Sequence, residues 1–179
     1  IVQVFDISRT PDNAYFLVME YIDGCNLKAL IERQKSKGKR IEIGHTVYLM
    51  IECCKALHYA HQLEHPETGH PLGIVHRDIS PPNILLSKNG EVKLVDFGVS
   101  RGEFVGREAR TGEFAFSSPG YQAPERWMGD DLPAGDVYGL GVVAYEALTG
   151  VRFGRARADE GAHARRVFEA RQRLLRGSV

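Results

Sequence analysis

The stretch "HRDISPPN", His76 to Asn83, decides how the rest of the 179-residue chain is read. It sets a carboxylate, Asp78, and an amide, Asn83, in a short loop stiffened by two consecutive prolines. Eighteen residues beyond Asp78, "DFG" places Asp96 at the end of the run "VKLVDF". The sequence between reads as two short strands, "NILLS" and "VKLVDF", around Asn89-Gly90, a pair that favours a tight hairpin turn. Such a hairpin folds back on itself, so Asp78 and Asp96 are expected at one edge. Phosphoryl transfer from a nucleotide needs a carboxylate to orient the attacking hydroxyl and accept its proton. It also needs oxygen ligands that hold magnesium against the phosphates. Asp78 suits the first task, and Asn83 and Asp96 the second.

Upstream, "IVQVFDI" alternates apolar and polar residues, "TPDN" supplies turn residues, and "AYFLVMEYI" is a second, aromatic-rich strand. "DGCNLKALIERQKSKGKR" reads as a turn, a short helix and a basic loop. From Ile43 to Leu63 a stripe of Val47, Met50, Ile51, Cys54, Leu57 and Tyr59 predicts a long buried helix. "EHPETGHPLG" is a loop. Downstream, Val99 to Ser118 is too polar and Gly-rich for core. "DVYGLGVVAYEALTG" is apolar nearly all round, as in a central helix, and ends at Gly150. The tail beyond holds eight Arg against Asp159, Glu160 and Glu169. It reads as a solvated helix face, with an acidic partner as the alternative.

The balance of charges, formally zero, gives no reason to expect nucleic acid or an anionic membrane surface as partner. No apolar run approaches the roughly 18 residues of a membrane span, and no signal peptide is visible. Cys25, Cys53 and Cys54 form no CxxC pair and read as reduced core thiols of a cytoplasmic protein. The seven histidines lack metal-ligand spacing. The chain starts at Ile1 inside an apolar run, and a two-stranded hairpin alone is marginal in water, so preceding sequence is expected.

Taken in order, HRD-x4-N, DFG, "APE" at Ala123 to Glu125, and D-V-Y-x-L-G-V from Asp136 resemble the signature of eukaryotic-type protein kinases. The resemblance runs from Ile1 to about Gly150. It implies an α+β, kinase-like fold with residues 1–22 as the remnant of a small lobe and hinge, and 23–179 as a mostly helical, incomplete large lobe. It implies Asp78 as catalytic base, Asn83 and Asp96 as ligands of Mg2+ (Mn2+ as an alternative), and ATP as phosphate donor. Met19, Glu20 and Ile22 fall where the family has its gatekeeper and adenine-binding hinge, and Leu85 where an apolar side chain underlies adenine. His76 and Phe97 would pack in the core spine, with Gly98 completing the DFG triplet, and Asp136 would hydrogen-bond the catalytic-loop backbone. Glu125 would pair with a later arginine, expected beyond Val179. Arg77, next to the catalytic Asp, implies activation by phosphorylation, with Thr111 and then Ser117 as acceptors.

Two departures stand out. Ser80 occupies the position where serine/threonine kinases usually carry a Lys, and Ser118 a position usually held by Thr. "HRDISPPN" and the insertion "HPETGHPLGIVHRD" resemble the HRD-x-S-P-x-N version of bacterial eukaryotic-like serine/threonine kinases, so Ser80 reads as a subfamily choice that supplies a catalytic-loop hydroxyl. Ser80 and Ser118 are a candidate matched change. Pro81 fits that pattern, and Pro82 has no account at this level. No Gly-rich loop and no phosphate-binding Lys lies ahead of the hinge, so the parent protein is expected to phosphorylate protein Ser or Thr while the chain alone is expected to be inactive. The alternatives are a pseudokinase binding module and a small-molecule phosphotransferase of kinase-like fold. Intact Asp78, Asn83 and Asp96 argue against the first, and the long DFG-to-APE segment against the second. The substrate protein and oligomeric state are not written in these residues.

Overall fold

The computed structural model describes residues 1–12, 14–97, 118–129, 131–154 and 160–175. The alternating N-terminal run forms β1 (Val4–Arg9), which pairs antiparallel with β2 (Tyr15–Met19). Thr10 closes the turn, its Oγ1 accepting from the Ala14 N–H at 3.0 Å. The register slips between Val4 and Asp6, a bulge that increases the local twist. Within the described residues no third strand joins this pair. Its large apolar side chains stay exposed, Phe5 at 61% and Ile7 at 52%.

A second sheet has the order β3-β4-β5, all antiparallel: β3 (Gly24–Asn26), β4 (Ile84–Ser87) and β5 (Val92–Leu94). The β4–β5 hairpin matches the expectation from Asn89-Gly90. Gly90 takes φ of 86°, and Ser87 N–H donates to Glu91 O at 2.9 Å across the turn. Strand β3 was read only as turn. Three residues carry no alternation, and the strand exists because Gly24 lets the backbone close on Leu86, whose carbonyl oxygen lies 1.8 Å from where a Cβ would stand.

Asn26 ends β3 and caps α1 (Leu27–Ser36), its Oδ1 accepting from Ala29 N–H at 2.9 Å. Helix α2 (Ile43–His61) spans nearly the predicted range, but its buried face is rotated from the predicted stripe and shares with it Leu57 and, partly buried, Met50. Thr46, Leu49, Cys53, Leu57 and Ala60 are buried, whereas Val47, Ile51, Cys54 and Tyr59 are exposed. The helix is apolar on two neighbouring faces, and periodicity alone does not choose between them. The cysteine reading is corrected as well, by this rotation for Cys54 and by the exposed strand position for Cys25. Only Cys53 is a core thiol, its pKa pushed up to about 12 chiefly by burial, while Cys25 and Cys54 are exposed.

The central helix α3 (Pro133–Thr149) starts with Pro at its first turn and ends at Gly150, which takes φ of 66° as the left-handed cap. Leu140, Val143 and Ala147 meet Leu49, Cys53 and Leu57 of α2, Ile79 of the loop, and Ile84 and Leu94 of the sheet in one core. Helix α4 (Glu160–Leu175) is largely solvated, as expected, with Phe168 61% exposed. One side docks on α3, where Tyr138 and His163 rings lie 5.7 Å apart and Arg173 Nη1 donates to Tyr145 Oη at 3.2 Å. No helix among the described residues is long and apolar enough to cross a membrane. The fold is α+β, with helices stacked behind one small sheet and a hairpin at its edge.

Candidate active site

Buried backbone demands partners, and that requirement builds the loop from His76 to Asn83. Asp136, in the first turn of α3 and 2% exposed, supplies acceptors. Its Oδ2 accepts from His76 N–H and its Oδ1 from Arg77 N–H, each at 2.8 Å. His61 at the end of α2 completes the set, its Nε2 lying 2.9 Å from Asp136 Oδ2. His61 was missed in the sequence. Its only local signal was a histidine in the last turn of a helix, which equally fits the helix dipole.

The chain enters this loop under strain. Arg77 has φ of 71° and Asp96 φ of 64°, the two non-glycine residues of left-handed conformation among those described. Each costs roughly 1–3 kcal/mol, which surrounding contacts must offset. The loop leaves through a 3-10 turn, Pro81–Asn83, with Asn83 N–H donating to Ser80 O at 3.0 Å. The first positions of such a turn need no N–H, so both prolines fit. Pro81 is buried, while Pro82 is exposed and lines a cleft with Lys28, Ser118, Tyr121 and Glu146.

Asp78 is half-buried, with both carboxylate oxygens fixed. Oδ2 accepts from Asn83 Nδ2 at 2.9 Å and Oδ1 from Ser118 N–H at 3.0 Å. Asn83 Nδ2 also donates to Asp78 O at 2.9 Å, leaving the amide oxygen as its remaining ligand atom. The hairpin brings the second carboxylate close: Ile84 pairs with Leu94, and Val95 N–H donates to Asn83 O at 3.1 Å. Asp96, next along the chain, is exposed and has no hydrogen bond or ion pair among the described residues. An amide oxygen and a carboxylate at one edge form a hard-oxygen donor set of the kind Mg2+ takes.

His76 is wholly buried and stacks at 4.5 Å, tilted, on Phe97. Its Nδ1 accepts from Asp78 N–H at 3.3 Å, which puts the proton of the neutral ring on Nε2, a buried atom without a partner among the described residues. Burial lowers its pKa, against the opposing charge of Asp136. Ser80 is also wholly buried, and its Oγ has no partner among the described residues, so its hydroxyl is turned into the core and away from solvent. Arg77 Nε lies 3.5 Å from Asp131 Oδ2, and Arg126 Nε 3.1 Å from Asp131 Oδ1. Glu125 sits partly exposed in a second 3-10 turn, Pro124–Met128, without an ion pair among the described residues. Gly98, Thr111 and Ser117 lie outside the described residues.

At the other edge, Met19 ends β2 and is 37% exposed, and Ile22 and Leu85 are half-buried. The Glu20 carboxylate is already engaged: Oε1 accepts from Gln3 N–H at 2.8 Å and Oε2 meets Lys93 Nζ at 2.5 Å. Hydrogen bonding from Lys93 holds the Glu20 carboxyl below its usual pKa, and Glu20 raises that of the Lys93 ammonium.

Residues 1–175 match the protein kinase domain. The chain is 35% identical over 153 residues to tyrosine-protein kinase MasK of Myxococcus xanthus, covering 85% of this chain and 23% of that protein. It is 35% identical over 155 residues to serine/threonine-protein kinase PknB of Mycolicibacterium smegmatis, covering 84% and 23%. With serine/threonine-protein kinase PknA of Mycobacterium tuberculosis the figures are 36% over 138 residues, 76% and 29%. The chain thus spans between a fifth and a third of the length of these curated relatives. The match covers the loop, the hairpin and the anchoring helix together, and the chain belongs to the protein kinase domain family.

Proposed function

We propose that the protein carrying this chain is an ATP-dependent kinase that phosphorylates Ser or Thr of other proteins. The reading rests above all on Asp78, whose carboxylate is held by Asn83 and by Ser118 N–H, with Asp96 exposed and without a hydrogen bond or ion pair among the described residues. Asp78 would orient the substrate hydroxyl and accept its proton as the oxygen attacks the terminal phosphorus and the bond to the leaving nucleoside diphosphate breaks. Asn83 and Asp96 would hold the divalent cation, which when bound neutralises charge on the phosphates. Met19 to Ile22 would offer backbone groups to adenine over Leu85, with residues 1–22 belonging to the small lobe and 23–179 to the large one. Arg77 would receive the phosphate of a modified Thr111 or Ser117 in place of Asp131.

Relatives named for tyrosine and for serine/threonine both occur, so a second reading, transfer to Tyr, stands on the likeness to MasK. Labelled ATP and a protein acceptor test both with the full-length protein. Phosphoserine and phosphothreonine are the expected products, and Asp78→Asn should reduce the rate about 10²-fold or more. Phosphotyrosine would transfer the proposal to the second reading. No incorporation by the wild type would leave a binding module.

A further inference from the structure

Among the described residues, two polar links join the β1–β2 hairpin and its flanks to the β3-β4-β5 sheet. Val2 N–H donates to Leu94 O at 2.8 Å, and Lys93 reaches the Glu20 carboxylate at 2.5 Å. Both involve neighbouring residues of β5. Glu20 is the node on the hairpin side. Its N–H donates to Gln3 O at 3.0 Å, its Oε1 accepts from Gln3 N–H at 2.8 Å, and its Oε2 takes Lys93. On the other side, Lys93 stands opposite Leu85 in the β4–β5 register.

A flat purine held between a strand and a chain segment needs the gap between them fixed. Main-chain groups must sit at hydrogen-bond distance from its edge while an apolar side chain covers its face. Residues 19–22 and Leu85 are the two walls of that gap in the proposed function, on which this inference rests. Hydrogen bonds within β1–β2 do not set their separation, and neither do those within β4–β5. The Glu20–Lys93 contact spans it. With the two side chains only 21% and 23% exposed, it is sheltered, and a charge-assisted bond of that kind has a tighter geometry than a neutral one. Glu20 and Lys93 are committed to each other, so neither offers its charge to a ligand.

We infer that Glu20 and Lys93 form a latch that sets the spacing between the hinge backbone and Leu85, and so act as positioning residues for the base of a purine nucleotide.

The test uses the full-length protein with adenosine, which carries the base and no phosphate, as the calorimetric probe. Lys93→Met should weaken adenosine binding about tenfold and raise KM for ATP by a similar factor, with kcat at saturating ATP and the melting temperature little changed. Lys93→Arg, which keeps the charge and the reach, should restore most of the affinity. Glu20→Gln added to Lys93→Met should cost little more than Lys93→Met alone, because both changes break one contact. Unchanged adenosine affinity in Lys93→Met overturns the latch. So does a fall in kcat and melting temperature parallel to the fall in affinity, which would make the pair general support. A wild type that binds adenosine, loses it in Lys93→Met, and transfers no phosphate would leave the latch standing and remove the kinase reading. A wild type that transfers phosphate yet binds no adenosine overturns the latch and leaves the kinase reading standing.

Discussion

Left-handed backbone at Arg77 and Asp96 is held in place by contacts that a less strained chain would not need. Arg77 N–H donates into Asp136, and Asp96 follows the bond from Val95 N–H to Asn83 O. Asp136 is therefore an anchor, and His61 beside it is part of that anchor. His76, the buried first residue of the same loop, gives a pH prediction with a definite sign. Its folded-state pKa is lowered, so as pH falls through the ordinary value near 6.5 the unfolded chain takes the proton first. Stability should be complete above about pH 6.5 and decline as pH drops toward the folded midpoint. An NMR titration of the ring in the folded protein checks this, and a midpoint at or above 6.5 would refute it. That Asp78 and Asn83 meet, with Asp96 one residue beyond the Val95–Asn83 bond, was open to inference because donor chemistry and spacing are sequence properties. The burial of Ser80 was not, because which way a loop side chain turns depends on what packs over it.

At the scale of elements, α3 approaches the loop more closely than side chains would allow at one position. A Cβ on Gly139 would stand 3.2 Å from Ile79 Cβ and Tyr121 O, and 3.3 Å from Ile79 O. Gly141, two residues on, has open space. Replacing either by Ala adds up to about 1 kcal/mol of helix propensity. At Gly139 overpacking of about 1–3 kcal/mol opposes it and pushes on Ile79, between Asp78 and Ser80. Chemical denaturation should show Gly141→Ala more stable than wild type and Gly139→Ala less stable by about 1 kcal/mol. Equal effects of the two substitutions would disprove the close approach. Elements were legible where a residue type enforces geometry, as at Asn89-Gly90 and Gly150. They were illegible where partners decide. Strand β3 exists through its pairing with β4, and α2 buries Leu49 and Cys53 in preference to Val47 and Ile51 because α3 and β5 lie on that side.

Across the whole molecule the two sheets rest on unequal foundations. The β3-β4-β5 sheet is backed by α1 and α2 and contributes Ile84 and Leu94 to the core, each no more than 1% exposed. The β1–β2 hairpin leaves Phe5, Ile7, Tyr15, Phe16 and Val18 in solvent, and Val2, just ahead of β1, is buried. A two-stranded ribbon without a covered face is marginal, and regions with few buried apolar contacts open at low free energy. In the 179-residue chain, amides of β1 and β2 should exchange with solvent far faster than those of α2, α3 and β4, by a factor of about 10³ or more if the core is stable by about 5 kcal/mol and the hairpin by less than one. The Val2 and Glu20 amides, bonded to Leu94 and Gln3, should be slower than their neighbours on the hairpin. Lys93→Met should erase that difference, since the ion pair holds the base of the ribbon against β5. Hydrogen exchange read by mass spectrometry resolves these segments. Equal protection in both sheets would mean that the ribbon and the core unfold as one cooperative unit, and the two polar links would then be incidental to it.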